Sequence, residues 1–366
     1  MRIKSLDSVR GIAAFMVVVG HCIGTIEAQP RWLQHFPFTL LNAGDSAVIM
    51  FFALSGCVLF LSLQQKSSSA YFGYLSKRFM RIYPTFVVAV LVSAVLFEVV
   101  RPRPVPGVSD WFNAHWQSAP TLGMLLGHLA MTDLPALRQL DAVMWSLVQE
   151  LRISVIFPFI ALWVVADWRA AVLVTAALSA VCTFVELHAH ITWMFDPILT
   201  LSYVYLFAAG AALASHAHTV RRLGRLPRWL QLGLWLVALR LVAVPVERDV
   251  ALATGAGALL IIALAFGTPV SDRVLSTHNV LIWLGRVSYS LYLVHWPIIM
   301  TCVHLLRERL SLIAILAIAV AMSLAAAELM NRLIEQPSIA LGRRFASLPA
   351  LQRTFAYRGK VASGDI

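Results

Sequence analysis

LDSVRGIAAFMVVVGHC, Leu6 to Cys22, has the apolar density of a membrane-spanning helix, yet it carries Arg10 near one end and His21 near the other. No small-residue cleavage pattern follows its apolar core, so the segment is expected to remain as a first span rather than leave as a signal peptide. The two side chains then need a reason to be there. A charge at the centre of a span costs about 2.5–3.5 kcal/mol to insert, and ionisable groups in such places are functional candidates by default.

The rest of the chain supports the membrane reading. Of its 366 residues, 60% are hydrophobic and 13% charged, with mean hydropathy +0.78, which leaves too little polar surface for a water-soluble domain. Crossing a bilayer takes about 17 to 25 apolar residues. Segments of that kind lie at 7–26, 44–64, 82–100, 144–166, 170–188, 198–215, 229–246, 250–267, 280–304 and 310–332. The stretch 120–132 is apolar but shorter, and is expected to form a re-entrant or surface helix. The fold class is therefore all-α: a polytopic bundle of about ten transmembrane helices over 1–337, followed by a short basic cytoplasmic tail, 338–366, drawn to anionic membrane lipid.

An even number of spans puts both termini on one side, and Lys and Arg favour the cytoplasm. Of the 29 Lys and Arg residues, 20 fall on the side of the N-terminus, among them Lys66 and the tail residues Arg353, Arg358 and Lys360. Seven, including Arg138 and Arg248, fall on the other side, and Arg152 and Arg240 lie within spans. This predicts an N-in, C-in protein. The net charge of +11 is spread between spans, so no nucleic-acid partner is expected. Cys22, Cys57, Cys182 and Cys302 sit far apart in apolar segments and are expected to pack rather than to form disulfides or bind metal. No internal repeat of the kind that builds many transporters is visible.

Arg10 and His21 are 11 residues apart, close to three whole helical turns, so they share a face about 16 Å apart along the axis. That spacing suits the two ends of one long ligand. The plainer alternative makes Arg10 a snorkelling anchor and His21 a histidine bonded to a neighbouring helix. In LGRVSYSLYLVHWPI, Ser288, Tyr292 and His295 recur at helical spacing on one face, and His295 lies about as deep as His21. In MWSLVQELRISVIFP, Glu150 reaches a similar depth from the other side, so two histidines and a carboxylate are expected at one level, suited to proton transfer. In LSKRFMRIYPTF, Lys77, Arg78 and Arg81 cluster at the inner end of the third span, where guanidinium groups can chelate phosphate or merely signal orientation. The loop 101–143, with Asp110, Trp111, Trp116 and Asp133, reads either as an interfacial aromatic belt or as a sugar-stacking surface.

Five motifs, LDSVRGIAAFMVVVGH, FFALSG (51–56), RFMRIYP (78–84), WSLVQE (145–150) and SYSLYLVHWP (288–297), match in order the patterns LDxxRGxAxxxVxxxH, FFxLSG, RxxRxYP, WSLxxE and SYSLYLxHxP. In these the chain resembles the membrane-bound acyltransferase family 3, the integral-membrane O-acyltransferases, across nearly all its spans. The resemblance implies transfer of an acyl group, usually acetyl, from cytoplasmic acyl-coenzyme A to a hydroxyl of an extracytoplasmic polysaccharide or lipid-linked glycan, such as a lipopolysaccharide or exopolysaccharide, in a bacterial-type inner membrane. Acetyl-coenzyme A would then be a donor substrate, with no tightly bound cofactor and no metal. On this footing Arg10, Arg78 and Arg81 would hold the coenzyme A phosphates while the pantetheine arm brings the thioester to His21, as general base or acyl carrier. Glu150 would orient or recharge His21, and His295, Tyr292, Ser288 or Ser55 would support the oxyanion or place the acceptor. Ser55 and Gly56 alternatively serve close helix packing, and Trp145 and Ser146 either pack or hydrogen-bond near Glu150. The chain departs from the family at Ile49, where many members have an acid and where Asp45 lies one turn earlier, and at Gln149, where some have histidine.

A family enzyme acting on a small molecule or lipid headgroup is the near alternative. A transporter or acyl conduit serving a separate transferase, and a haem protein ligated by His21 and His295, are the readings from other classes. The sequence leaves open the acceptor sugar, the acyl length and whether the chain forms a homo-oligomer.

Overall fold

The computed structural model of the protein describes residues 3–64, 71–131, 139–188, 195–244 and 251–347. Lys66, Asp133, Arg138, Arg248 and the tail beyond 347 lie outside the described residues. Among those described there is no strand, and a helix stands at each of the ten expected segments. In chain order these are α1 (Lys4–Gly24), α2 (Gly44–Gln64), α3 (Tyr71–Val100), the short α4 (Asp110–Asn113) and α5 (Leu122–Leu129), then α6 (Met144–His188), α7 (Phe195–Ser215) and α8 (Ala217–Val220). They continue with α9 (Arg228–Val242), α10 (Ala251–Gly267), α11 (Pro269–Thr277), α12 (Asn279–Leu306), α13 (Leu312–Met330) and α14 (Gln336–Ala346). A single π-turn, Asn331–Glu335, joins the last two, so position 337 lies inside a helix that packs on α3 through Gly342 and Met80.

The protein is an all-α polytopic membrane protein. Among the described residues, seven helices are individually long and apolar enough to cross a bilayer, and eight if α10 and α11, bent by 85°, form one span. The expectation of ten differs for two physical reasons. α9 has 15 residues, about 23 Å against a hydrocarbon core of about 30 Å. The expected fourth and fifth spans are both present but count once within α6, as two arms broken at Asp167, which has non-helical torsions (φ −153°, ψ 94°) and whose Oδ1 accepts from the N–H groups of Arg169 (3.0 Å) and Ala170 (3.1 Å), an N-cap for the second arm.

The chain reverses at that cap. Thr200 donates to Gln149 in the first arm and Ser179 in the second donates to Ser202 O, both at 2.5 Å. A straight helix would hold positions 149 and 179 about 45 Å apart, so both can reach neighbouring turns of α7 only if the arms double back. At the tip, Trp168 lies against His216 (5.1 Å) at the end of α7.

The four cysteines are free and buried, as packing residues should be. α5 is a short helix capped by Thr121, with Leu122 and Leu126 exposed. It descends alongside α3 and α6: Tyr83 donates to Leu129 O (2.8 Å) and Arg152 to Met131 O (2.8 Å).

α1 and α12 cross at very short range. A Cβ on Gly11 would stand 2.5 Å from Gly285 N, and one on Gly285 would overlap Asp7 O. Only paired glycines allow backbones so near, the small-residue device of membrane helices. The two helices run parallel from this crossing. His21 lies ten residues beyond Gly11 and His295 ten beyond Gly285, about 15 Å along each axis. The glycine contact therefore sets the register that brings the two imidazoles level. Gly56 and Gly210 make the equivalent contact between α2 and α7.

Gly285→Ala is expected to destabilise the fold by about 1–3 kcal/mol through overpacking, read as a lower unfolding midpoint in detergent. Gly233→Ala, whose Cβ would meet nothing within 4 Å, is the control and should leave the midpoint unchanged or raise it.

Candidate functional site

His21 Nδ1 and His295 Nε2 are 3.0 Å apart, and His295 Nδ1 is 3.0 Å from Leu291 O. A carbonyl can only accept, so His295 carries its proton on Nδ1. Its Nε2 is then an acceptor when the ring is neutral, and His21 must donate from Nδ1. This leaves the lone pair of His21 on Nε2. The wholly buried His295 thus fixes the tautomer of the half-buried His21 and orients the nitrogen that can take a proton.

The far wall of this pair is aromatic. Trp111 (5.2 Å) and Trp296 (5.3 Å) flank the His21 ring, and His115 packs on Trp296 at 4.8 Å. α4 is pinned over the end of α1 by Ser109, which donates from Oγ to Gly24 O (2.5 Å) and from its N–H to Thr25 O (3.0 Å). Gly24 makes room, since a Cβ there would come to 3.3 Å from the Trp111 ring. His115 and Trp296 were not anticipated from sequence: His115 is brought in by the fold of a loop nearly a hundred residues from α1, and Trp296 by the packing of α12 on α1. Trp116 does not join a belt or a sugar surface: it is buried, donates to Leu140 O (3.0 Å) and packs against Phe97 and His304.

On the side of the N-terminus two connected chambers share Leu6, Arg10, Val58, Ser62 and Arg81. The outer one, about 400 Å³, is walled also by Arg286, Arg343 and Glu335. The inner one, about 130 Å³, runs past Ser55, Arg78, Glu150 and Ser288 and ends at Ser146, Phe51 and Tyr292. His295 stands one turn beyond Tyr292, so the chamber closes just short of the histidine pair.

The arginines differ in commitment. Arg10 donates to Asp7 Oδ1, Ser288 Oγ and Gly285 O, each at 3.0 Å, while still facing both chambers. Arg78 is buried, ion-paired to Glu150 and bonded to Ser154 Oγ (2.9 Å), which turns it from the mouth. Arg81 makes no hydrogen bond or ion pair among the described residues and faces both chambers.

Glu150 is not level with the histidines. Ser146 Oγ lies 2.7 Å from Tyr292 Oη, which aligns the first arm of α6 with α12. From that contact Glu150 is one turn toward the N-terminal end and His295 nearly one turn away from it, about 10 Å apart along the bundle. Span boundaries misjudged by a few residues account for the error. Glu150 instead accepts from Ser55 Oγ (2.7 Å) and pairs with Arg78.

The remaining hydroxyls are engaged. Ser146 lies 3.1 Å from Val143 O and Tyr292 donates to the same carbonyl (3.2 Å), while Ser288 donates to Gly285 O (2.9 Å). Trp145 packs on Tyr203 of α7 (5.9 Å), and Ile49 is buried in α2.

A family model described as an acyltransferase domain, acyltransferase 3, matches residues 3–331. The chain belongs to this family. It is similar to "Acyltransferase MdmB" of Streptomyces mycarofaciens, 28% identical over 326 residues that cover 82% of this chain and 79% of that one. Over a shorter part it is similar to an "O-acetyl transferase" of Shigella phage Sf6, 33% identical over 91 residues, 25% of this chain and 26% of that one. No solved structure matches it. This acyltransferase is therefore a multi-pass membrane enzyme that transfers acyl groups.

One buried carboxyl of the acyltransferase lies outside its spans. Asp141 Oδ1 accepts from Val143 N (3.2 Å), whereas Oδ2 is buried without a partner among the described residues. Burial pushes its carboxyl well above the ordinary aspartate range. The protonated form is thus the one the fold prefers. Stability from this group is full below the unfolded value of about 3.9 and is lost as pH rises toward the folded one. Asp141→Asn keeps the Oδ1 acceptor and cannot ionise. It should raise the unfolding midpoint, by more at pH 8 than at pH 5.

Proposed function

We propose that this acyltransferase takes an acyl group, acetyl in the simplest case, from acyl-coenzyme A on the cytoplasmic side and delivers it to a hydroxyl of an extracytoplasmic polysaccharide or lipid-linked glycan. The observation that carries the reading is the arginine-lined chamber, which leads from the N-terminal end of the bundle to within one turn of the His21–His295 pair. With the excess of Lys and Arg on that side, the N-in, C-in orientation of an inner-membrane enzyme follows from the positive-inside rule. Membrane lipid surrounds the bundle, and the donor is a substrate rather than a resident cofactor.

Each residue has a task in this scheme. Arg81 and Arg10 receive the phosphates at the mouth, where Arg81, near Glu335 but bonded to no carboxylate among the described residues, keeps its fork for an anion. Arg78, held by Glu150, supplies positive charge to the inner wall and fixes α3 against α6. The pantetheine arm occupies the inner chamber. Tyr292 is fixed by hydrogen bonds, whereas Phe51 meets it only edge to face (5.6 Å), so Phe51 is the side chain that yields when the thioester passes. The acceptor hydroxyl approaches from the aromatic side, gives its proton to His21 Nε2 and attacks the carbonyl carbon. His21 passes that proton to the departing thiolate as the carbon–sulfur bond breaks.

The test is transfer of labelled acetyl from acetyl-coenzyme A to a mixed glycan-lipid extract by the purified, reconstituted protein. His21→Ala should lower transfer about 10²–10⁴-fold with donor affinity preserved. Arg81→Ala should weaken donor binding while leaving the rate at saturating donor within a few-fold. Transport of the acyl group without ester formation by the wild type would favour the conduit reading, and full activity in His21→Ala would remove His21 as base.

A further inference from the structure

We infer that Trp296 is a further catalytic residue: its indole N–H donates to the carbonyl oxygen of the acyl group as that oxygen takes on negative charge beside His21. The inference rests on the reading of the site as one of transfer from a thioester to a hydroxyl. Trp296 stands between His295 and Pro297, at a position where the family pattern SYSLYLxHxP specifies no residue type.

Trp296 is wholly buried, and its Nε1 meets no acceptor among the described residues. Buried indole N–H groups are ordinarily paired, and this protein follows the rule elsewhere. Trp116 donates to Leu140 O at 3.0 Å, Trp235 to Ser271 Oγ at 3.1 Å and Trp283 to Glu328 at 2.8 Å. If Trp296 only filled space, phenylalanine would do so without burying an unused donor. The exception lies against His21, edge to face at 5.3 Å and 77°.

Other donors for the oxyanion are already occupied. Ser55 is bonded to Glu150, Ser146 and Tyr292 to each other and to Val143 O, and Ser288 to Gly285 O. His295 uses one nitrogen on Leu291 O and the other on His21. Among the described residues the indole N–H groups of Trp111 and Trp296 pack on His21 without an acceptor, and of the two only that of Trp296 is wholly buried, away from competing water. Trp111 covers it at 4.8 Å and is itself partly exposed, so it is the ring that an incoming substrate displaces.

The step balances within these groups. The acceptor oxygen forms its bond to the carbonyl carbon while its proton moves to His21 Nε2. The carbonyl electron pair shifts to oxygen, where the Trp296 N–H meets it. Collapse of the adduct restores the carbonyl, breaks the carbon–sulfur bond and returns the proton from His21 to the thiolate. A preorganised donor of this kind acts on the transition state more than on the bound substrate.

The experiment compares wild type with Trp296→Phe and with β-(3-benzothienyl)alanine installed at position 296, which keeps the bicyclic ring and replaces only the N–H by sulfur. Both are reconstituted and assayed for labelled acetyl transfer at saturating acceptor. Removing one oxyanion donor is expected to lower kcat about 10²-fold or more, with KM for the donor within twofold and the unfolding midpoint unchanged. Trp296→His, which retains a ring N–H, should recover part of the loss. Retention of kcat within twofold by the benzothienyl variant overturns the inference, as does a kcat loss that only tracks a lowered midpoint. Absence of transfer by the wild type from any acyl-coenzyme A would instead overturn the reading of the function.

Discussion

The crossing of α1 on α12 at Gly11 and Gly285 is the constraint on which the rest of the site depends. Two backbones without side chains between them meet at van der Waals distance, and the parallel helices then carry everything beyond that point in matched steps. Arg10 reaches Ser288 and Gly285 O beside the crossing, and His21 reaches His295 ten residues later. Helical rise, once the contact is fixed, leaves little freedom in where the imidazoles stand. Because a chain of hydrogen bonds from Leu291 O sets both tautomers, the free Nε2 of His21 is oriented by the same pair of helices that position it.

The second organising feature is the separation of two environments by a thin partition. Toward the N-terminal end the walls are charged: Arg10, Arg81, Arg286 and Arg343 stand among a smaller number of carboxylates. Toward the other end the walls are indole and imidazole. Ser146, Phe51 and Tyr292 divide them. On the proposed function, a reaction that joins a highly charged donor to a neutral hydroxyl would benefit from such a division, because the arginines would hold the anion in one chamber while proton transfer proceeds where water is scarce. The Arg78–Glu150 pair belongs to the charged side, and its role is to knit α3 to α6 rather than to exchange protons with a histidine 10 Å away.

Much of this was legible in the residues themselves. Hydropathy placed a helix at each of the ten segments, and the break between 166 and 170 coincides with Asp167, whose side chain caps the arm that follows. The common face of Arg10 and His21 also follows from helical period, since both are properties of one continuous helix. The level of Glu150 did not, because it depends on how far α6 is slid along α12, and an error of a few residues at a span boundary shifts a side chain by a full turn. The contribution of the loop was hidden for a related reason. Trp111 and His115 gain meaning only when Ser109 ties their short helix to the end of α1, a contact between residues some 85 positions apart.

Sequence alone determined the membrane class, the helical fold, the family and the side chains able to do acid–base and anion chemistry, because these follow from composition, period and motif within single segments. Tertiary structure decided which of those side chains meet. It paired His21 with His295, gave Glu150 to Arg78 and, among the described residues, left Arg81 without a hydrogen bond and the Trp296 N–H unpaired beside His21. These outcomes are set by helix crossings and by competition among neighbours for the same donors and acceptors, and neither is a property of any one stretch of chain.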